Sequence, residues 1–168
     1  EGTKAGSIAV LYRANFQSRS LEEALIGQNI PYQVLGVKFY DRKEIKDVLS
    51  YFKAILNPTD SISLKRIINV PGRGIGKTTI DKLEDLQLRL ERGELPGAHE
   101  GDTSLWSALR IASDDSTHTS AGTARKLASF SVMIERFIVE QPKLLLSELY
   151  HLILDETGYV RELREEGT

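Results

Sequence analysis

The stretch that most constrains this chain is Val70-Pro71-Gly72-Arg73-Gly74-Ile75-Gly76-Lys77-Thr78-Thr79-Ile80, a turn with glycine at alternate positions between two segments of helical periodicity. Glycine enters positive φ without a Cβ penalty and lets another group approach the main chain closely. The turn superficially resembles a phosphate-binding P-loop, which requires Gly, four residues, then Gly-Lys-Ser/Thr. Counting back from Gly76-Lys77-Thr78 places Pro71 where the first glycine belongs. Starting from Gly72 leaves the loop one residue short, so its amides cannot encircle a triphosphate. No acidic strand end follows to hold a magnesium ion. A nucleotide site is therefore rejected.

The stretch fits a tight corner between helices that offers backbone N–H groups to one phosphate of a nucleic-acid strand. Gly72, Gly74 and Gly76 open the main chain, and Ile75 is expected to turn inward and pin the corner. Thr78 and Thr79 stand where the next helix begins, with free amides and the positive end of its dipole, and Arg73 and Lys77 add charge. The competing reading is a helix corner with a glycine cap that binds nothing. Three glycines with two cations and two threonines exceed what a cap needs.

Net charge over the 168 residues is −2, which argues against a nucleic-acid partner until its distribution is considered. Residues 38 to 89 hold eleven Lys/Arg against seven Asp/Glu, and residues 90 to 168 hold eight against fourteen. The basic excess thus coincides with the glycine corner. The absence of cysteine excludes disulfides, a thiol nucleophile and thiolate metal sites. His99, His118 and His151 lack metal-ligand spacing, and no nucleophile–base pair or paired carboxylates emerge. No apolar run approaches a membrane span. The chain begins Glu1-Gly2-Thr3 without an initiator methionine, and we expect it to be excised from something longer.

The fold class is mainly α, with a small α/β piece at the amino terminus. Ser7 to Arg13 predicts a buried strand, Ser18 or Ser20 caps a helix through Gln28, and Tyr32 to Leu35 predicts a second strand. Two strands do not make a stable sheet, so the rest is expected outside the chain, and the open edges are expected either to be disordered or to pair with a second copy. From Asp41, an N-cap with Glu44 at the capping-box position, the pattern is helical. Ile45, Val48, Leu49, Phe52, Ile55 and Leu56 form its apolar stripe, while Arg42, Lys46 and Lys53 recur on another face around Ser50. That basic face reads equally as a solvated surface or as part of a DNA contact. Further helices are predicted over Ser61–Val70, Thr79–Arg92, around Trp106, over Ser120–Glu140 and Leu144–Glu156, and from Tyr159 to Glu166. Trp106 is expected to be a core anchor.

The segments AVLYRANFQSRSLEEAL, IPYQVLGVKFYDRKEIKDVLSYFKAILNP, RIINVPGRGIGKTTIDKL and LDETGYVRELREE, in this order, resemble the superfamily 1 DNA helicases of the UvrD, PcrA and Rep group. The resemblance covers nearly the whole chain and is weakest from Gly93 to Gly122. It implies a motor of two RecA-like domains, 1A and 2A, that uses ATP to pull single-stranded DNA with 3'-5' polarity, with helical domain 2B inserted in 2A. Residues 1–37 would be a strand-helix-strand piece of 2A, and residues 38–168 a carboxy-terminally truncated 2B.

By the same resemblance, 2B holds the duplex ahead of the fork through a GIG corner. This corresponds to Gly74-Ile75-Gly76, with Thr79 as phosphate ligand and Lys46 and Lys53 as DNA-facing lysines. Arg42, Arg73, Lys77 and Thr78 complete the expected DNA-binding set. Tyr12, Arg13 and Asn15 would lie near the single-strand path, although Arg13 fits an ion-pair role equally well. The expected partners are double-stranded DNA at a single-strand/duplex junction and helicase domains 1A, 1B and 2A, in a cytoplasmic, nucleoid-associated protein of DNA repair or replication. The ATPase motifs are absent from this sequence, so ATP and magnesium belong to the parent enzyme and the chain alone is expected to be inactive. The rival expectation is a helical protein-interaction module without DNA binding of its own.

Overall fold

The computed structural model describes residues 3–13, 17–34, 39–95, 101–115 and 117–165. They fall into two compact units, Glu1–Lys46 and Asp47–Thr168, with the division inside helix α2 (Lys43–Leu56). No helix among the described residues is long and apolar enough to cross a membrane.

The amino-terminal unit contains helix α1 (Ser18–Gly27), short 3-10 turns at Ala5–Ser7 and Phe39–Asp41, and the first turn of α2. The expected strands do not form: no strand occurs among the described residues. Ile8, Val10 and Leu11 are 62%, 59% and 93% exposed, and residues 32–34 have no regular structure. A strand needs a neighbour to take its N–H and C=O groups, and the described residues supply none. With no strand edge formed, the expectation of edge pairing between copies loses its basis.

Helix α1 ends as its sequence requires. Asn29 adopts φ 53°, and the amides of Asn29 and Ile30 close back on the carbonyls of Ile26 and Leu25. Its start differs from the expectation. Ser18 is the first helical residue rather than a cap, and it is buried with its hydroxyl accepting from Arg42 Nη2 at 3.0 Å. Asp41, the expected cap of α2, lies in the 3-10 turn immediately before that helix and pairs with Lys46 at 2.9 Å.

The larger unit is a helical assembly of the rest of α2 with α3 (Ser61–Ile67), α4 (Lys77–Glu91), α5 (Leu105–Asp114), α6 (Ala121–Glu140), α7 (Leu146–Thr157) and α8 (Tyr159–Glu165). Side-chain caps set three starts. Asp60 accepts the amides of Ile62 and Ser63, Ser104 that of Ser107, and Ser120 that of Thr123. Gly158, at φ 70°, ends α7 in the left-handed conformation.

Helix α5 packs between α4 and α6, and Ala108 and Ala112 are fully buried there. Small side chains at these positions let neighbouring helices approach closely. Trp106, 6% exposed, belongs to this core as its sequence context predicts. The buried face of α2 is rotated from the predicted stripe: Leu49 and Leu56 are 40% and 69% exposed, whereas Asp47, Ser50, Tyr51, Ala54 and Ile55 are buried. The inward polar groups are acceptable because they are partnered. Asp47, 2% exposed, accepts from Arg66 Nε at 2.7 Å and from the Tyr159 hydroxyl at 2.6 Å, joining α2, α3 and α8.

Candidate nucleic-acid interface

The glycine corner has an inner side that the protein satisfies and an outer side that it leaves open. On the inner side, one oxygen, Asn69 Oδ1, accepts the amides of Arg73 at 2.8 Å and Ile75 at 3.0 Å. Ile75 is fully buried and pins the corner, as the sequence predicts. Arg73 turns inward as well. Its Nη1 donates to the carbonyls of Ile67 at 3.0 Å and Pro71 at 3.2 Å, and its Nη2 donates to the Tyr51 hydroxyl at 2.6 Å. The Tyr51 hydroxyl in turn donates to the Val70 carbonyl at 2.6 Å, and the guanidinium lies 5.3 Å from the centre of the Phe130 ring. Planar, multiply donating and stacked on a ring, Arg73 is a staple that a lysine would not reproduce.

The outer side begins at Gly74, exposed and at φ 68°, where a Cβ would approach Lys126 Nζ to 2.5 Å. Lys126, reaching over from α6, donates to the Gly74 carbonyl at 3.1 Å. Gly76 is the N-cap of α4 but has no side chain to satisfy the first turn. The amides of Thr79 and Ile80 close onto the Gly76 carbonyl at 3.0 and 3.2 Å. Among the described residues, no hydrogen bond engages the amides of Gly74, Gly76, Lys77 or Thr78, and all four residues are exposed. Thr79 is half-buried, so its hydroxyl rather than its amide is what it can offer.

Lys53 is exposed on the part of α2 in the larger unit, and its charge helps hold the Asp60 carboxyl below its ordinary range, after the hydrogen bonds from Ser63. Lys46 and Arg42 belong to the amino-terminal unit, where Lys46 pairs with Asp41 and Arg42 lies 5.5 Å from the Phe39 ring centre. Tyr12 and Arg13 are exposed in that same unit, and Asn15 lies outside the described residues. Beyond Thr78, the surface of α4 borders a groove of about 480 Å³ where Asp81 and Asp85 offset Lys82 and Arg89.

Sequence reasoning missed three contributors. Lys126 lies in the acidic half; Asn69 looks like an ordinary helix-end residue; Glu162, from α8, accepts the Gly72 amide at 2.9 Å across 90 residues of sequence. Only Lys126 left a local signal, as half of the Arg125-Lys126 pair after a polar loop.

The buried Tyr51 hydroxyl gives the corner a pH signature. Burial raises its pKa above the ordinary 10.0, with the Arg73 charge opposing. Below pH 10 the tyrosine is protonated in folded and unfolded chains alike. Above it, the unfolded chain ionises first, so stability declines as pH rises. Tyr51→Phe should flatten this alkaline decline and cost about 1 to 2 kcal/mol at neutral pH through the lost hydroxyl bonds, as measured by urea unfolding.

This architecture, a glycine corner between α3 and α4 within a helical unit, accords with the lineage read from the sequence. Residues 1–93 match the family described as UvrD-like helicase C-terminal domain, and the chain belongs to that family. It is 43% identical over 159 residues, 94% of its length, to the ATP-dependent DNA helicase PcrA of Staphylococcus epidermidis strain RP62A. It is also 39% identical over 168 residues, 99% of its length, to the PcrA of Staphylococcus aureus strain NCTC 8325. The chain spans about a fifth of the length of these relatives, 20% and 21% respectively.

Those relatives are named for ATP dependence, but the glycine corner does not fit a nucleotide triphosphate. Pro71 stands at the required glycine, the Gly72 amide faces the Glu162 carboxylate, and the amides of Arg73 and Ile75 are taken by Asn69. The open amides around the start of α4 suit a single phosphate group.

Proposed function

We propose that this chain is a duplex-DNA-binding accessory and regulatory part of an ATP-dependent superfamily 1 helicase that acts in DNA repair or replication. Residues 1–37 would contribute to motor domain 2A and residues 38–168 to a 2B-like domain, with 1A, 1B and the rest of 2A as partners in a cytoplasmic enzyme. The observation that carries this reading is the division of labour at the corner. The amides of Arg73 and Ile75 are satisfied from within, while those of Gly76, Lys77 and Thr78 remain open beside the Lys77 charge. Main-chain donors and lysines read phosphates, not bases, so binding is expected to be independent of sequence.

The test is binding of a labelled duplex with a single-stranded tail across a salt series. Neutralising about three or four phosphates gives a slope of log K against log salt of roughly −3 to −4. Lys46→Ala and Thr79→Ala should each weaken binding without changing the unfolding midpoint. A flat salt profile, or no binding at low salt, would overturn the proposal and leave the interaction-module reading.

A further inference from the structure

Lys126 reaches the outer side of the corner from the acidic half of the chain, and its contact there is partial. An ammonium carries three donors. One goes to the Gly74 carbonyl at 3.1 Å, and no other hydrogen bond or ion pair of this ammonium occurs among the described residues. The side chain is exposed, and it lies against the face of Gly74 where a Cβ would meet it. A lysine whose only task was to tie α6 to the corner would gain little, because an exposed bond of this kind adds only modest stability.

We propose that Lys126 is a further phosphate-binding residue: its ammonium, anchored on the Gly74 carbonyl, turns its remaining donors to the same DNA phosphate that the α4 amides receive. This rests on the duplex-binding reading above and adds to it a ligand from a different helix. Three features support the assignment. The anchor is a main-chain atom of the bend itself, so the ammonium is placed at the corner rather than swept through solvent. Among the described residues no carboxylate pairs with it, in contrast to Lys65 with Glu84, Lys143 with Glu140 and Lys46 with Asp41. Gly74 has no side chain to obstruct the approach, and any larger residue there would meet the ammonium.

The experiment compares the 168-residue chain with its Lys126→Ala and Lys126→Arg variants in duplex binding across a salt series, with urea unfolding of each. Loss of one phosphate contact should reduce the magnitude of the salt slope by about 0.9 and lower affinity roughly 3- to 10-fold at 0.1 M salt. Arginine should restore both, and the unfolding midpoints should agree. A slope unchanged in Lys126→Ala while the unmodified chain shows a steep one overturns the Lys126 assignment and leaves the duplex reading standing, whether or not the midpoint falls. A flat profile in the unmodified chain removes both.

Discussion

Replacing Asp47 by alanine should lower the unfolding free energy by about 3 to 5 kcal/mol, the largest effect we expect from a single substitution in this chain. Asp47 is 2% exposed and joins Arg66 on α3 to Tyr159 on α8. Its removal deletes the acceptor that α2 offers to Arg66 and to the buried Tyr159 hydroxyl, and the vacated site, sealed from solvent on the Tyr159 side, loses both bonds at once. Asp47→Asn should be milder, because an amide oxygen still accepts from one of the two donors. Urea unfolding of both variants checks the ordering, and an alanine variant within 1 kcal/mol of the parent, by the same scale of buried-pair energies, would contradict it.

The second large effect is expected at Arg73, whose replacement by alanine should cost about 3 kcal/mol, since hydrogen bonds to a charged group exceed neutral ones. Arg73→Lys should recover little of this, lacking the fork that reaches Ile67, Pro71 and Tyr51 together. The two roles considered for Arg73 separate in one measurement. If it contacted DNA directly, alanine would reduce the salt slope of duplex binding by about 0.9. As an internal staple, its loss weakens binding through a loosened corner while the folded fraction retains nearly the parental slope. We expect the second outcome.

How far the chain could be read from its letters differs between regions for physical reasons. The helix predicted over Ser120–Glu140 was legible because its periodicity and its Ser120 cap are local chemistry. The inward turn of Ile75 was legible because an aliphatic residue between glycines has nowhere else to go. The strands at the amino terminus were misread because their periodicity is a property of the segment, whereas strand formation requires a neighbour. Arg73 illustrates the limit for function. Its charge suggested an anion, but its direction was settled by Tyr51, 22 residues earlier, and Phe130, far along the chain. The rotation of α2 has the same origin, since Asp47 is drawn inward by Arg66 and by Tyr159, 112 residues away.

Asn69 carries a consequence for the energetics of docking. Because one of its oxygens ties down two amides of the bend, the loop is already in the shape it would present to a ligand, and little chain freedom remains to be surrendered there. Under the proposed duplex-binding role, what would be left to order is the lysines and the nucleic acid itself. Association at such a preset surface would be governed by encounter and ion displacement rather than by loop folding, and the strand could exchange from one phosphate to the next without the protein reshaping at each step.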